Sequence, residues 1–392
     1  MVLTRTSEKG EVIVDFKLTE EQELVRANIR EFVQEYLDPI AVKIDEESLY
    51  PADVIAKLAE MGWMGMPYPE EYGGAGTDFL TYTIVVEEIS RSCAATGFTF
   101  SCHTALGSGP IYNFGSEEQK QKYLTPLCKG EKIAAFALTE PGAGTDVNAG
   151  TTTAVLDGNE YVLNGTKTFI SNGPVGDTFV IFAKTDPEAG PKGMSAFIVP
   201  KDAPGFKVGE IFYKMGIRAS QTSEIILRDC RIPKENLLGK EGDGFRIAMS
   251  TLDNGRIGVA AQAVGIIQAA LDESIKYSKE RIQFNRPISR QQAIQWMIAD
   301  MGTELQAARF LTYHAAWLKD QGERYSQQAS MAKLFAAEAA SRHTSKAVQI
   351  HGGYGYIKGF KVERLMRDAK ITEIYEGTSE AQRMVIAGSL LR

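Results

Sequence analysis

Near its C-terminus the chain reads Ile371-Thr372-Glu373-Ile374-Tyr375-Glu376-Gly377-Thr378-Ser379-Glu380. Two carboxylates, Glu373 and Glu376, precede a glycine. Thr378 or Ser379 can cap a following helix by accepting from its first free N–H groups. One reading is a capped helix start with solvated acids. The other makes Glu376 a general base at a helix mouth, beside Gly377, whose missing side chain leaves room for a ligand. Residue types alone leave both open. A second cluster, Phe136-Ala137-Leu138-Thr139-Glu140-Pro141-Gly142-Ala143-Gly144-Thr145-Asp146, offers backbone N–H groups and two hydroxyls to a ligand. A plain linking turn explains the same letters. A third, Gln349-Ile350-His351-Gly352-Gly353-Tyr354-Gly355-Tyr356, reads equally as the C-cap of a long helix.

Other chemistries are absent. No phosphate loop of the G-x-x-x-x-G-K-[ST] type occurs, and no G-x-S-x-G, H-E-x-x-H or helix-opening G-x-G-x-x-G. Cysteines 93, 102, 128 and 230 form no C-x-x-C pair, and histidines 103, 314, 343 and 351 have no metal-like spacing. We expect no metal site, and cysteines that serve as small buried residues. Lys plus Arg is 43 and Asp plus Glu 50, a net charge of −7, which argues against nucleic acid as the main partner. The first nine residues reach charge too soon for a signal peptide, and no apolar run approaches the roughly 20 residues of a membrane span. A soluble intracellular protein is expected, cytoplasmic, or in the mitochondrial matrix of a eukaryote.

Three regions must position these clusters. At 392 residues the chain has room for two or three domains. The first third is helical. Thr19 and Gln22 form a capping-box pattern, followed by Val25, Ile29, Phe32, Val33 and Tyr36 on one helical face. Further helices fit 51–61, 79–92 and 117–129. From about Lys132 the period changes. Asp157-Gly158-Asn159 and Asn164-Gly165 read as hairpin turns, and 178–184, 194–200 and 223–227 as strands of an antiparallel β domain. The last third is helical again, with helices through 257–275 and at 291–320, 325–350 and 378–390. The fold class is therefore α+β, mostly α: an N-terminal helical domain (1–131), a middle antiparallel β domain (132–240) and a C-terminal four-helix bundle (241–392).

These clusters, in this order, resemble the acyl-CoA dehydrogenase family, and most closely its short-chain or butyryl-CoA branch. The resemblance runs from Leu18-Thr19-Glu20-Glu21-Gln22 to Leu390-Leu391-Arg392. It rests on Phe136 to Pro141, Asn164-Gly165-Thr166-Lys167, Met215-Gly216-Ile217-Arg218, Gln349 with Gly352-Gly353, and Ile374-Tyr375-Glu376-Gly377-Thr378. It implies FAD, an acyl-CoA thioester substrate and an electron transfer flavoprotein as electron acceptor. By position Glu376 is the catalytic base that takes the α proton, while the β hydrogen leaves as hydride. The flavin site it implies is Phe136, Leu138, Thr139, Gly144 and Thr145; Phe169, Ile170 and Ser171; and Thr378 and Glu380. A neighbouring subunit of a homotetramer would reach the same FAD through Arg281, Phe284, Gln292, Gln349, Gly352 and Gly353. The acyl-CoA site takes Thr145, Asp253, Arg256 and Gly377.

Some positions depart from the family pattern. Asn285 stands where glycine is usual after Gln-Phe, Phe169 where tryptophan is common, Thr145 for serine, and His351 for an apolar residue; we read that lone histidine as structural. Phe98 and Phe100 are bulkier, and Gly107 and Ser108 smaller, than in short-chain relatives. If they line the acyl pocket, the pocket favours a compact or branched group; if they face the core, a plain butyryl-CoA dehydrogenase is expected. Two alternatives share the fold: an acyl-CoA oxidase, and a catalytically silent binding or assembly subunit.

Overall fold

The computed structural model describes the backbone of residues 3–6 and 12–15 and all of residues 17–391. Of residues 1–9, to which the leader-peptide expectation refers, 1–2 and 7–9 lie outside them. In chain order come strands β1 (Leu3–Thr6) and β2 (Val12–Asp15), an antiparallel pair, then helices α1 (Glu20–Phe32), α2 (Ala41–Glu46), α3 (Ala52–Glu60), α4 (Phe79–Ser92), α5 (Ala94–Ser101), α6 (Gly109–Phe114), α7 (Glu117–Gln119) and α8 (Thr125–Cys128). Strands β3 (Ala134–Ala137), β4 (Thr153–Asp157), β5 (Glu160–Ser171), β6 (Thr178–Lys184), β7 (Met194–Pro200), β8 (Phe206–Ile211), β9 (Thr222–Pro233) and β10 (Leu237–Leu238) follow. Helix α9 (Gly244–Glu280) leads to the short strands β11 (Ile282–Gln283) and β12 (Arg286–Pro287). Helices α10 (Gln292–Asp320), α11 (Ser326–His351), α12 (Lys361–Thr372) and α13 (Ser379–Leu390) close the chain. Among the described residues no helix is long and apolar enough to cross a membrane. The four cysteines are buried, and none forms a disulfide among the described residues.

The chain forms two compact units, each drawn from separate stretches of sequence: Met1–Val42, Asp78–Gly97 and Arg256–Arg392; and Lys43–Thr77 with Phe98–Gly255. In the first unit α1 starts with the expected capping box: the Thr19 hydroxyl accepts from Gln22 N, and the Gln22 side chain accepts from Thr19 N. Helix α4 is buried on all sides except at Arg91, as its apolar sequence demands, and packs on α1 and α10. It buries two carboxylates: Glu87 accepts from Arg309 (2.8 Å) and Tyr313 Oη (2.8 Å) on α10, and Glu88 accepts from Arg30 (2.5 Å) on α1. Helix α11 packs against α10, α12 and α13 through small side chains such as Ala332, Ala336 and Ala340, which let the helix axes approach. Helix α12 is an addition to the expected bundle; its buried stripe Val362, Leu365 and Ala369 has helical spacing but sits in a highly charged segment.

The second unit is built on an eight-stranded sheet, ordered β10-β7-β6-β4-β5-β9-β8, with β3 on β6. One face buries Phe179, Ile181 and Ala183 of β6 with Phe197 and Val199 of β7, at the strand period of two. The sheet departs from the expected antiparallel form in two pairings: β3 runs parallel to β6, and β4 meets the end of β6 in the same sense. The Gly158-Asn159 turn joins β4 to β5 as expected. Asn164-Gly165 is not a turn. It lies inside β5 at a register shift against β9, and a Cβ on Gly165 would stand 2.4 Å from Thr152 Oγ1. The glycine permits a bulge and a close approach there, which sequence cannot separate from a hairpin.

Candidate active site

Glu376 sits between the end of α12 and the start of α13, with φ +54°. A bulky residue in the left-handed region stores strain and is worth a functional explanation. Gly377 follows with φ +93°, and a Cβ there would meet Gln382 Nε2 at 2.7 Å. The fold itself therefore requires glycine at 377, whatever a ligand adds. Although Glu376 as a residue is half-buried, both carboxyl oxygens are shielded from solvent and neither has a hydrogen-bond partner. Burial pushes its pKa up to about 8 against the pull of Lys333 and Arg256. Thr378 caps α13, its hydroxyl accepting from Ala381 N (3.3 Å), and Glu380 is exposed in the first turn.

Three residues around the Tyr375–Gly377 segment carry no motif of their own: Lys333, Gln382 and Gln262. Lys333 donates to Gly377 O (2.7 Å), Gln382 to Glu376 O (3.2 Å) and Gly377 O (2.9 Å), and Tyr375 Oη donates to Gln262 Oε1. The available signal was a lone lysine in an alanine-rich helical face. Arg256 is buried, with Nη1 3.5 Å from Ser330 Oγ, and its charge acts on Glu376; Asp253 stands one turn before it on α9.

In the other unit the glycine-rich turn and the middle of β5 are stitched together. Thr168 N donates to Thr139 O (2.9 Å), and Lys167 Nζ donates to Leu138 O (3.1 Å) and Glu140 Oε1 (2.6 Å). This brings Leu138 and Thr139 beside Phe169, Ile170 and Ser171. A register shift between Lys167 and Ile170 leaves Phe169 at φ +57° and 66% exposed, its ring 5.1 Å from Phe212. An exposed aromatic face on a strained residue is suited to stacking. Phe136 and Ile170 are buried, and Phe136 packs on Phe182 at 5.0 Å. Gly144 and Thr145 are exposed. A Cβ on Gly142 or Gly144 would meet nothing within 4 Å, and neither has positive φ. No packing demands these glycines, so the open space above their backbone fits a close-lying cofactor.

The third cluster ends α11. Gly352 has φ +59° at the C-cap, in accord with the capping alternative. Arg281, Gly352 and Gly353 line one pocket of about 530 Å³, with Tyr277, His351 and Tyr354. His351 is buried, stacked on Tyr277 at 4.2 Å, with Nδ1 2.8 Å from Ala347 O. Phe284, Gln292 and Gln349 are exposed and lie outside the pocket wall. Phe284 (φ +52°) and Asn285 (φ +61°) form the turn between β11 and β12, a pair of left-handed residues that asparagine tolerates in place of glycine.

Phe98 and Phe100 are buried on α5. Gly107 is small for a reason of packing: a Cβ there would stand 2.4 Å from Ala134 Cβ on β3. It is thus removed from the pocket argument. Ser108 is buried and its hydroxyl has no partner among the described residues.

Three family descriptions match: acyl-CoA dehydrogenase N-terminal domain at residues 19–131, middle domain at 135–230 and C-terminal domain at 242–391. The chain is 55% identical over 379 residues to the short-chain specific acyl-CoA dehydrogenase of Clostridium acetobutylicum, covering 97% of this chain and 100% of that protein. Butyryl-CoA dehydrogenase from Megasphaera elsdenii superposes with a TM-score of 0.95 at 46% identity, over 96% of this chain and 100% of that one. A chain from work on the electron transferring flavoprotein of Acidaminococcus fermentans, directed at flavin-based electron bifurcation, also superposes at 0.95, with 53% identity over 96% of this chain and 100% of that one. The chain belongs to the acyl-CoA dehydrogenase family of FAD-dependent oxidoreductases.

Proposed function

We propose that the chain dehydrogenates a short-chain acyl-CoA thioester to the trans-2-enoyl-CoA, with Glu376 as the base. The observation that carries this reading is the Glu376 carboxyl, shielded from water, without a donor, and raised to about 8. A carboxylate near 4.3 takes an α proton poorly. Each unit of increase adds about 1.4 kcal/mol in favour of proton uptake. Donors at the thioester oxygen stabilise the developing negative charge, and the Glu376 backbone N–H is assigned that role by the family resemblance.

FAD, when bound, supplies the acceptor for the hydride that leaves Cβ as the Cα–Cβ double bond forms. Leu138, Thr139, Gly144, Thr145, Phe169 and Ser171 would hold it, with Phe136 and Ile170 packed behind and Thr378 and Glu380 beyond the base. Asp253, Arg256 and Thr145 are assigned to acyl-CoA, though the burial of Arg256 suits it to the field around Glu376 as well. The reading includes a homotetramer in which Arg281, Phe284, Gln292, Gln349, Gly352 and Gly353 serve a neighbouring subunit's FAD. The 88% exposure of Phe284 on a strained turn supports it. An electron transfer flavoprotein as acceptor is supported by the similar chain from work on such a protein.

The test is anaerobic bleaching of the flavin by butyryl-CoA. Glu376→Gln should bind FAD and lose flavin reduction by about a thousandfold, ~4 kcal/mol. Retention of more than about a tenth of the rate, ~1.4 kcal/mol, assigns the base to another carboxylate. A monomeric mass in solution with full FAD content would remove the shared site. A series of acyl-CoAs of increasing length, read at ~1–3 kcal/mol per methylene, should place the optimum at the short end.

A further inference from the structure

The geometry points to Lys333 as a positioning residue for the base: it holds the left-handed Glu376–Gly377 turn through the Gly377 carbonyl and supplies the positive field in which the Glu376 carboxyl exchanges its proton. This rests on Glu376 being the base.

Lys333 is fully buried on α11, among Ala329, Ala332, Ala336 and Ala337. These neighbours are small, and the lysine side chain ends with Nζ 2.7 Å from Gly377 O. Two successive left-handed residues are an uncommon turn, and for a glutamate the conformation costs roughly 1–2 kcal/mol. Lys333 from α11 and Gln382 from α13 both donate into it, so the turn is held from two helices. The charged groups that face Lys333 are Glu376 itself, Arg256 from α9, Glu373 at the end of α12 and Glu380 in the first turn of α13. Burial lowers the Lys333 pKa to about 8, so the ammonium still predominates at neutral pH. A methionine of similar volume would occupy the same buried position without a desolvated charge. A lysine here costs stability, and the turn and the base are what its charge and hydrogen bond serve.

The sign is definite. A cation beside Glu376 favours the carboxylate, so removing it raises the proton affinity of the base. The experiment compares FAD-loaded wild type, Lys333→Met, Lys333→Gln and Glu376→Gln by two readouts. One is the pH dependence of anaerobic flavin reduction by butyryl-CoA. The other is infrared titration of the protonated carboxyl band without acyl-CoA, assigned to Glu376 by its loss in Glu376→Gln. In Lys333→Met the acid limb and the infrared midpoint should both move up by about one pH unit. The rate constant at neutral pH should fall about tenfold or more, with KM little changed. Lys333→Gln retains a donor for Gly377 O without charge; it should recover part of the rate and keep the shifted midpoint. A folded, FAD-loaded Lys333→Met with unshifted limb and midpoint overturns the proposal. If Lys333→Met does not fold, the midpoint of Lys333→Gln decides in the same way. A Glu376→Gln enzyme that still reduces its flavin overturns the underlying assignment of the base instead.

Discussion

Glu140 and Glu376 are both buried carboxyls facing a buried lysine, one in each compact unit, and they are set to opposite ends of the pH scale. Glu140 accepts from Lys167 Nζ at 2.6 Å, from Thr151 N at 2.6 Å, from Thr151 Oγ1 at 3.0 Å and from Thr152 N at 3.1 Å. Burial pushes its carboxyl up, but the charge of Lys167 and these donors outweigh it and hold the pKa at about 2. The Glu376 carboxyl oxygens accept from no group among the described residues, and Lys333 turns its ammonium to the Gly377 carbonyl instead. Burial then dominates and the pKa stands at about 8. The same residue pair makes a permanent anchor where the lysine meets the carboxylate, and leaves a carboxyl of raised proton affinity where the lysine meets the backbone beside it.

The comparison breaks most visibly in activity and stability together. Glu376→Gln should keep its fold while flavin reduction collapses. Glu140→Gln should destabilise the protein by roughly 3–5 kcal/mol, because Lys167 is left buried without its countercharge. Denaturant melts of the two variants check this; equal stability losses would erase the distinction drawn here. The Glu140 variant should also lose FAD on mild warming, since Lys167 and Glu140 tie the Leu138–Thr139 segment to β5.

pH sharpens the contrast next, because the two groups have opposite linkage. The lowered Glu140 contributes stability that is present above the ordinary carboxyl value, 4.5, and lost as pH falls toward 2. The raised Glu376 does the reverse: its contribution is intact below 4.5 and lost as pH rises through 8. Glu376→Gln should therefore melt with wild type in acid and above it in alkali. A variant that tracks wild type at every pH would show that the Glu376 carboxyl is not desolvated. In the enzyme itself, flavin reduction should climb as pH rises toward about 8, as more of the base becomes carboxylate.

The smallest effect concerns a single donor. Thr151→Val removes the hydroxyl from Glu140 and leaves the Thr151 N–H in place. Stability should fall by about 1 kcal/mol and the rate of flavin reduction should not change. A loss as large as that of Glu140→Gln would mean that the donors act as one unit.

Much of this was legible in residue order. Helix boundaries at 79–92, 291–320 and 325–350 followed from period and breakers, and the structure places them at Phe79–Ser92, Gln292–Asp320 and Ser326–His351. The Thr19 cap, the Gly158-Asn159 turn and the Thr378 cap are local events, settled within three or four residues by hydrogen bonds a short peptide can make. The order helices, strands, helices likewise follows from the change of hydrophobic period, and the motif register made Glu376 the candidate base. Asn164-Gly165 escaped because its conformation depends on Thr152, from another strand. Gly107 escaped because its neighbour is Ala134, and no local pattern names that contact. Sequence could present Glu376 as a solvated acid or as a base. Only tertiary packing removed water from its oxygens, aimed Lys333 at Gly377 O rather than at the carboxylate, and brought Lys333 and Arg256 to the same turn from distant helices. Proton affinity depends on the desolvation and charge that distant segments impose, and those exist only when the chain is folded.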